Sequence, residues 1–186
     1  MQAAQSNAAT FEVADRLDAQ KLCELYTKRV YRFASMVSKG SVDSEDLAQE
    51  ALERAIRAIG LYDASRGTVD AWLWQIVVNA ARDAGRVERR RQLSFERMVA
   101  LLPRAVPVEV LDLDSAIGDH TLLQAIRRLR PRERALIALR FGADLDYAAV
   151  GASLGLSAET AGVATRRALV SLRRSLKSHT QTRRDQ

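Results

Sequence analysis

The sequence predicts an all-α protein, built as two small helical domains joined by a flexible acidic linker. Composition is the first reason: Ala, Leu, Arg and Glu dominate, aromatic residues make up only 5% of the chain, and β-branched runs are few, which favours helix over strand. The second is periodicity. Apolar residues recur at helical spacing through the first half, and no alternation of the strand type competes with them. The third is a break: residues 92–120 lose the pattern, and Pro103 and Pro107 interrupt them. The 186 residues suffice for one ordinary domain or two small ones.

Residues 1–10 are small and polar and read as a disordered tail. Helical spacing starts near Phe11 and reaches about Val37, where Lys39-Gly40-Ser41 stops it. Ser41 or Asp43 caps a second helix, with Glu45 and Asp46 in its first turn, where the helix dipole favours negative charge. It ends at Ile59, before Gly60. Residues 61–69 form a loop, and Thr68 or Asp70 caps a third helix from Ala71 to about Arg91. The first domain, expected to hold four helices, therefore spans 11–91 and the linker 92–120, with room for a short helical turn near Phe95–Leu101. Helices resume at Leu122. Pro131 closes one and can open the next, which Gly142 ends. Asp146 caps a helix to Leu154, and Ser157 caps a last one to about Ser175. The second domain spans 121–177, and 178–186 is a tail.

Charge divides the chain along the same lines. Residues 82–104 hold seven Arg against three acids, 105–120 hold four acids and no Lys or Arg, and 121–186 hold 13 basic groups against five acids. Two basic segments around an acidic connector suit a polyanion at two places, or are solvated helix faces. Cys23 is the lone cysteine, so no intrachain disulfide can form, and it reads as a small core residue. His120 and His179 stand far apart, without zinc spacing. No nucleophile elbow or phosphate-cradling loop is present. The expectation is a cytoplasmic protein with no enzymatic activity, no cofactor and no membrane insertion.

Three constellations could carry function. Residues 146–169 read as helix, Gly155, Ser157, helix: a permissive backbone to end one helix and a side-chain oxygen to cap the next. Val150, Leu154, Leu156, Ala161, Ala168, Leu169 and Leu172 make the inner stripe. The outer stripe, Glu159, Gly162, Val163, Arg166, Arg167 and further on Arg173, can enter a major groove with its arginines at phosphates. A helical corner packed against something else is the alternative. On the helix of residues 43–59, Leu47, Ala51, Leu52, Ala55, Ile56 and Ile59 form the apolar face. The other face, with Asp46, Gln49, Glu50, Glu53, Arg54 and Arg57, is acidic in its first half. It suits a basic protein surface, or is an ordinary solvated face. On the helix of residues 71–91, the apolar side is Trp72, Leu73, Ile76, Val77, Ala80, Ala81 and Ala84. Gln75, Asn79, Arg82 and Arg86 share one polar stripe, suited to base edges and phosphates, or are an ordinary polar surface. Trp72 and Trp74 cannot face the same way: one is core, and the other packs on the preceding loop or stacks on a base.

These motifs, in this order, resemble the bacterial RNA polymerase sigma factors of the extracytoplasmic-function class. The resemblance rests on SEDLAQEALERAI (44–56), YDASRG (62–67) and AWLWQIVVNAARDAGR (71–86), then on LRPRER (129–134) and DYAAVGASLGLSAET (146–160). It implies a role for each part. Asp43, Asp46, Gln49, Glu50 and Glu53 would dock on the clamp helices of the polymerase β′ subunit, a basic coiled coil. Tyr62, Asp63, Ser65, Arg66, Gln75, Asn79, Arg82 and Arg86 would read the −10 promoter DNA, holding an extruded base. Ser157, Glu159, Thr160, Val163, Arg166 and Arg167 would read −35 DNA, in a domain that also touches the β flap. An anti-sigma factor would be a further partner. The chain departs from the family at Gly162 and Ala164, which replace basic side chains, at Ala148 and Ala149, which replace a Glu pair, and at Val78, where a polar or basic residue is common. A stand-alone helix-turn-helix regulator and a helical adaptor are the other classes compatible with the residues.

Overall fold

Seven α-helices and short 3₁₀ and π turns make up the elements of the described residues, which in this computed structural model are 17–38, 41–100 and 120–182. The predicted start at Phe11, most of the linker and the end of the tail lie outside them.

Helix α1 spans Ala19–Val37. Asp18 caps it by accepting from the Lys21 amide at 2.8 Å, and Leu22, Tyr26, Val30 and Phe33 form its buried stripe. Helix α2 spans Ser41–Ala58. Gly60 does not stop it abruptly; the chain tightens into a 3₁₀ turn, Ile59–Leu61. Helix α3 spans Val69–Ala100, capped by the Thr68 hydroxyl, which accepts from the Ala71 amide at 3.2 Å. It runs well past the predicted end at Arg91. No Gly or Pro interrupts residues 92–100, so nothing local breaks the helix there. The expected boundary followed the loss of apolar periodicity ahead of Pro103 and Pro107, which a helix tolerates where its faces are exposed.

The second half opens with α4, His120–Arg127, and α5, Pro131–Ile137, in which Pro131 holds the first turn. A π turn, Ala138–Gly142, continues α5. Helices α6, Tyr147–Leu154, and α7, Ala158–Thr182, follow. Ala125, Ile126, Leu129, Ile137, Ala168 and Leu172 bury one another. Glu133 ties α5 to α7: its carboxylate accepts from Arg130 at 2.8 Å and from the Ser171 hydroxyl at 3.0 Å. The Arg130 guanidinium, foremost, holds its pKa down to about 2. A depressed carboxylate contributes stability above its unfolded pKa, and that contribution is lost as pH falls through the folded value. Thermal melts of Glu133→Gln should therefore lie a few degrees below wild type at pH 6, with the difference closing as pH falls from about 4.5 toward about 2.

The two halves are not held apart. Leu22, Tyr26, Phe33, Leu73, Trp74, Val77 and Val78 of the first half share one buried cluster with Leu136, Leu139, Ala143, Leu145, Val150 and Ala161 of the second. At the joint, a Cβ on Gly142 would lie 3.0 Å from the Met36 sulfur and 3.3 Å from the Arg32 carbonyl, so a larger residue fits only if these neighbours give by a few tenths of an ångström. Arg29 spans the seam. Its Nε donates to the Ala143 carbonyl at 2.8 Å, and a terminal nitrogen reaches Asp70 at 3.3 Å. Its guanidinium lies over the rings of Tyr26 and Trp74. Burial and then the Asp70 carboxylate push the Tyr26 hydroxyl pKa up, which keeps it a neutral partner in this seam.

Candidate polymerase and nucleic-acid interfaces

Helix α2 turns Leu47, Ala48, Ala51, Leu52 and Ala55 into the core. That rotation leaves Asp43, Asp46, Gln49 and Glu53 exposed and Glu50 half-buried, all on the outer side. Asp43 and Asp46 form no ion pair among the described residues. Glu53 is engaged internally, accepting from Gln49 at 3.0 Å and from Arg57 at 3.0 Å. Glu50 accepts from Arg54 Nε at 2.6 Å, and this bond, foremost, holds its carboxyl pKa down. The face thus carries anionic charge at neutral pH, unsatisfied at its N-terminal end and lightly tethered further along.

The loop after α2 is braced by its own side chains. The Tyr62 ring packs on Trp72 with centroids 5.5 Å apart, and its hydroxyl donates to the Gly67 carbonyl at 3.0 Å. Gly67 has φ 151° and ψ 176°, a conformation essentially reserved for glycine. Asp63 caps a 3₁₀ turn, Ala64–Arg66, accepting from both the amide and the hydroxyl of Ser65 at 2.9 and 2.7 Å. These bonds hold its carboxyl pKa down. Residues 63–68 are exposed around this scaffold. Tyr62 and Asp63 are thus committed to shaping the loop, while Arg66 projects with no ion pair among the described residues. Trp72 settles the tryptophan question by packing on the loop, and Trp74 is fully buried.

Gln75, Asn79, Arg82 and Arg86 form the exposed stripe expected of α3. Arg82 donates to the Asn79 side chain at 3.2 Å. Arg86 pairs with Asp83, which also accepts from Arg54 of α2 at 2.8 Å. The apolar side of α3 differs from the expected one. Trp74 and Val78 are buried and Ala84 is exposed, because the helix is covered by α1 and α2 on one flank and by α6 on another.

In the second half, Gly155 takes φ 69° and ψ 40° to end α6. The Ser157 hydroxyl accepts from the Thr160 amide at 3.1 Å and donates to the Thr160 hydroxyl at 2.8 Å. Both hydroxyls therefore serve the cap of α7 first. Glu159, Arg166 and Arg167 are exposed, and Val163 is half-buried. The predicted inner stripe holds, with Ala161 and Ala168 fully buried. Gly162 faces the Tyr147 ring, 3.8 Å from where its Cβ would be. A second glycine, not singled out from sequence, sets the turn: a Cβ on Gly151 would meet the Leu156 carbonyl oxygen at 2.6 Å. Gly151→Ala should destabilise the chain by about 1–3 kcal/mol, as overpacking does, measurable as a lowered urea midpoint.

Sequence reasoning did not single out the Arg54–Asp83 pair as a link between helices. Its signal was present, since Arg54 and Asp83 each lie beside a predicted interface, but which helices become neighbours is a tertiary fact.

Family models of Sigma-70 region 2 and Sigma-70 region 4 match residues 22–91 and 125–174. The RNA polymerase sigma-E factor of Streptomyces avermitilis is 31% identical over 79% of this chain and 78% of its own length. The chain belongs to the extracytoplasmic-function sigma factors. The sigma factor SigE of Mycolicibacterium smegmatis is 32% identical over 92% of this sigma factor, which spans 66% of that relative; it spans 51% of BldN of Streptomyces coelicolor. By fold, it resembles RpoE of Bartonella quintana, solved with the anti-sigma factor NepR, at TM-score 0.64 and 20% identity, covering 85% of this chain and 96% of that one. It also resembles CnrH, solved with the cytosolic domain of CnrY, at TM-score 0.58 and 22% identity, covering 86% and 88%. No helix among the described residues is long and apolar enough to cross a membrane.

Proposed function

We propose that this sigma factor binds core RNA polymerase, brings it to specific promoters and helps open them. In this reading the acidic face of α2, Asp43 to Glu53, docks on the β′ clamp helices. The loop at 62–68 and the stripe from Gln75 to Arg86 take the −10 element. Helix α7, through Glu159, Val163, Arg166 and Arg167, takes the −35 element, with Ser157 and Thr160 fixing its first turn, and the second half meets the β flap. The observation that carries the reading is the division of surface on one helical unit. An anionic face and an amide–guanidinium stripe occupy adjacent helices, α2 and α3, and share no residue. An anionic face repels phosphates and suits a basic protein; the stripe suits nucleic acid. Extruding a base costs a few kcal/mol, and single-strand contacts offset that.

A negative regulator of the anti-sigma kind would act by covering one of these faces. It is supported by two neighbours by fold, one solved with an anti-sigma factor and the other with the cytosolic domain of a partner. The reading gives the chain no reaction of its own; RNA synthesis belongs to the core enzyme.

Run-off transcription with core polymerase over a library of host genomic fragments tests the proposal. Discrete starts that depend on this chain, preceded by a common pair of sequence elements, are the expected result. Gel shifts separate the alternatives. A stand-alone regulator would bind duplex DNA tightly without polymerase, and an adaptor would bind no DNA in either case.

A further inference from the structure

We propose that Arg54 and Asp83 form a charge relay that couples occupancy of the acidic face of α2 to the freedom of Arg86 on α3. This rests on the reading above, in which Glu50 meets polymerase and Arg86 meets DNA. Four alternating charges cross the seam between the two helices. Arg54 Nε donates to Glu50 Oε1 at 2.6 Å, and Arg54 Nη1 donates to Asp83 Oδ2 at 2.8 Å. The other oxygen of Asp83, Oδ1, is taken by Arg86 Nη2. Each of the two central groups therefore has two claimants, and each outer group belongs to a surface that a partner would cover.

A staple between helices would need only the Arg54–Asp83 pair. The two outer bonds do something else. The side chains are partly exposed, from 36% for Arg54 to 67% for Arg86, so the bonds exchange readily with water or with a competing ion. A cation on Glu50 removes one acceptor from Arg54. The planar guanidinium can then take both oxygens of Asp83, a geometry it favours. Arg86 loses its acceptor, and its charge becomes available to a phosphate. Linkage makes the effect reciprocal: a phosphate on Arg86 frees Asp83 for Arg54 and leaves Glu50 open to polymerase. In the free chain, Asp83 masks Arg86. Arg54 and Asp83 are thus positioning residues that act through Glu50 and Arg86.

The test uses the full chain, alone and bound to core polymerase, with a fluorescein-labelled duplex carrying a central unpaired bubble. Asp83→Asn should raise the affinity of the free chain for this probe about two- to five-fold, within the range of exposed ion pairs. The salt dependence should steepen by close to one phosphate contact. In holoenzyme the same substitution should change affinity less than about two-fold, because Arg86 is already released. The gain in the free chain should vanish in an Arg86→Gln background, which a purely structural role of Asp83 would not produce. Arg54→Met should weaken probe binding by holoenzyme about two- to five-fold without weakening capture of core enzyme. Circular dichroism checks that each variant is folded. Equal effects of Asp83→Asn with and without polymerase, or a gain that persists without Arg86, would overturn the relay alone. A wild-type chain that fails to bind core polymerase would overturn the functional reading, and the relay with it.

Discussion

Replacing Asp46 and Glu50 together by Arg is expected to abolish capture of core RNA polymerase, lowering affinity by at least about a hundredfold. Asp46 is exposed and forms no ion pair among the described residues, and Glu50 sits one turn further along the same face of α2. In the proposed reading this face meets a basic coiled coil, so the substitution turns two attractive charges into two repulsive ones, and like-charge juxtaposition costs several kcal/mol across an interface. The helix itself should survive, because its buried residues, Leu47, Ala51, Leu52 and Ala55, are untouched. Glu50→Arg also places a cation beside Arg54, so Asp46→Arg alone is the arm that leaves the α2–α3 ion pairs in place. Affinity measured by fluorescence anisotropy, with circular dichroism as the folding control, decides the matter. An unchanged affinity would remove α2 from the interface.

The second large effect concerns the seam between the halves. Val78→Arg is expected to separate them. Val78 is 2% exposed, in the cluster that also holds Val150 and Ala161. A guanidinium there would be buried without a partner, a cost of about 3–5 kcal/mol to the closed arrangement, which the chain avoids by opening. Small-angle scattering would show it: a compact globule of this length has a radius of gyration of about 16 Å, and the variant should exceed the wild type clearly. Gly142→Val, which forces Met36 and the Arg32 backbone away, should act in the same direction. Opening has a functional consequence under the proposed reading. Elements centred 10 and 35 base pairs from a start site lie about 85 Å apart along B-form DNA, at 3.4 Å per base pair. Helices α3 and α7, whose Val78 and Ala161 lie in one cluster, cannot reach both. Binding that requires the open form is weakened by the fraction of chains that are open, so Val78→Arg should tighten apparent affinity for core enzyme, on the order of tenfold. A variant that scatters like wild type, or one that opens and binds polymerase no better, would contradict this.

Much of the local structure was legible because it is governed by neighbours in sequence. Asp146, Ser157 and Thr68 cap helices as their side chains suggest. Gly155 ends α6 because a residue without a Cβ adopts the left-handed backbone at low cost. The surface stripes of α2 and α3 follow from a 3.6-residue repeat, so the acidic face and the Gln75–Arg86 row could be drawn without coordinates. Boundaries were less legible. Helix α3 passes Arg91 without a break, since the apolar pattern fades there but no Gly or Pro interrupts the backbone before residue 100. Gly151 went unnoticed because its constraint comes from the Leu156 carbonyl across the turn, not from its own dihedrals.

The amino-acid sequence by itself determined the helices, their caps, their charged faces and the family to which the chain belongs, since each of these depends on residues within a few positions of one another. The tertiary structure alone decided that Val78 is buried, that Trp74 and not Trp72 is core, that Arg54 meets Asp83, and that the halves close on Gly142 and Arg29. Those outcomes depend on which surfaces, far apart in the chain, exclude water from each other. Periodicity can say that a helix has an apolar side, but not how many neighbours will cover it.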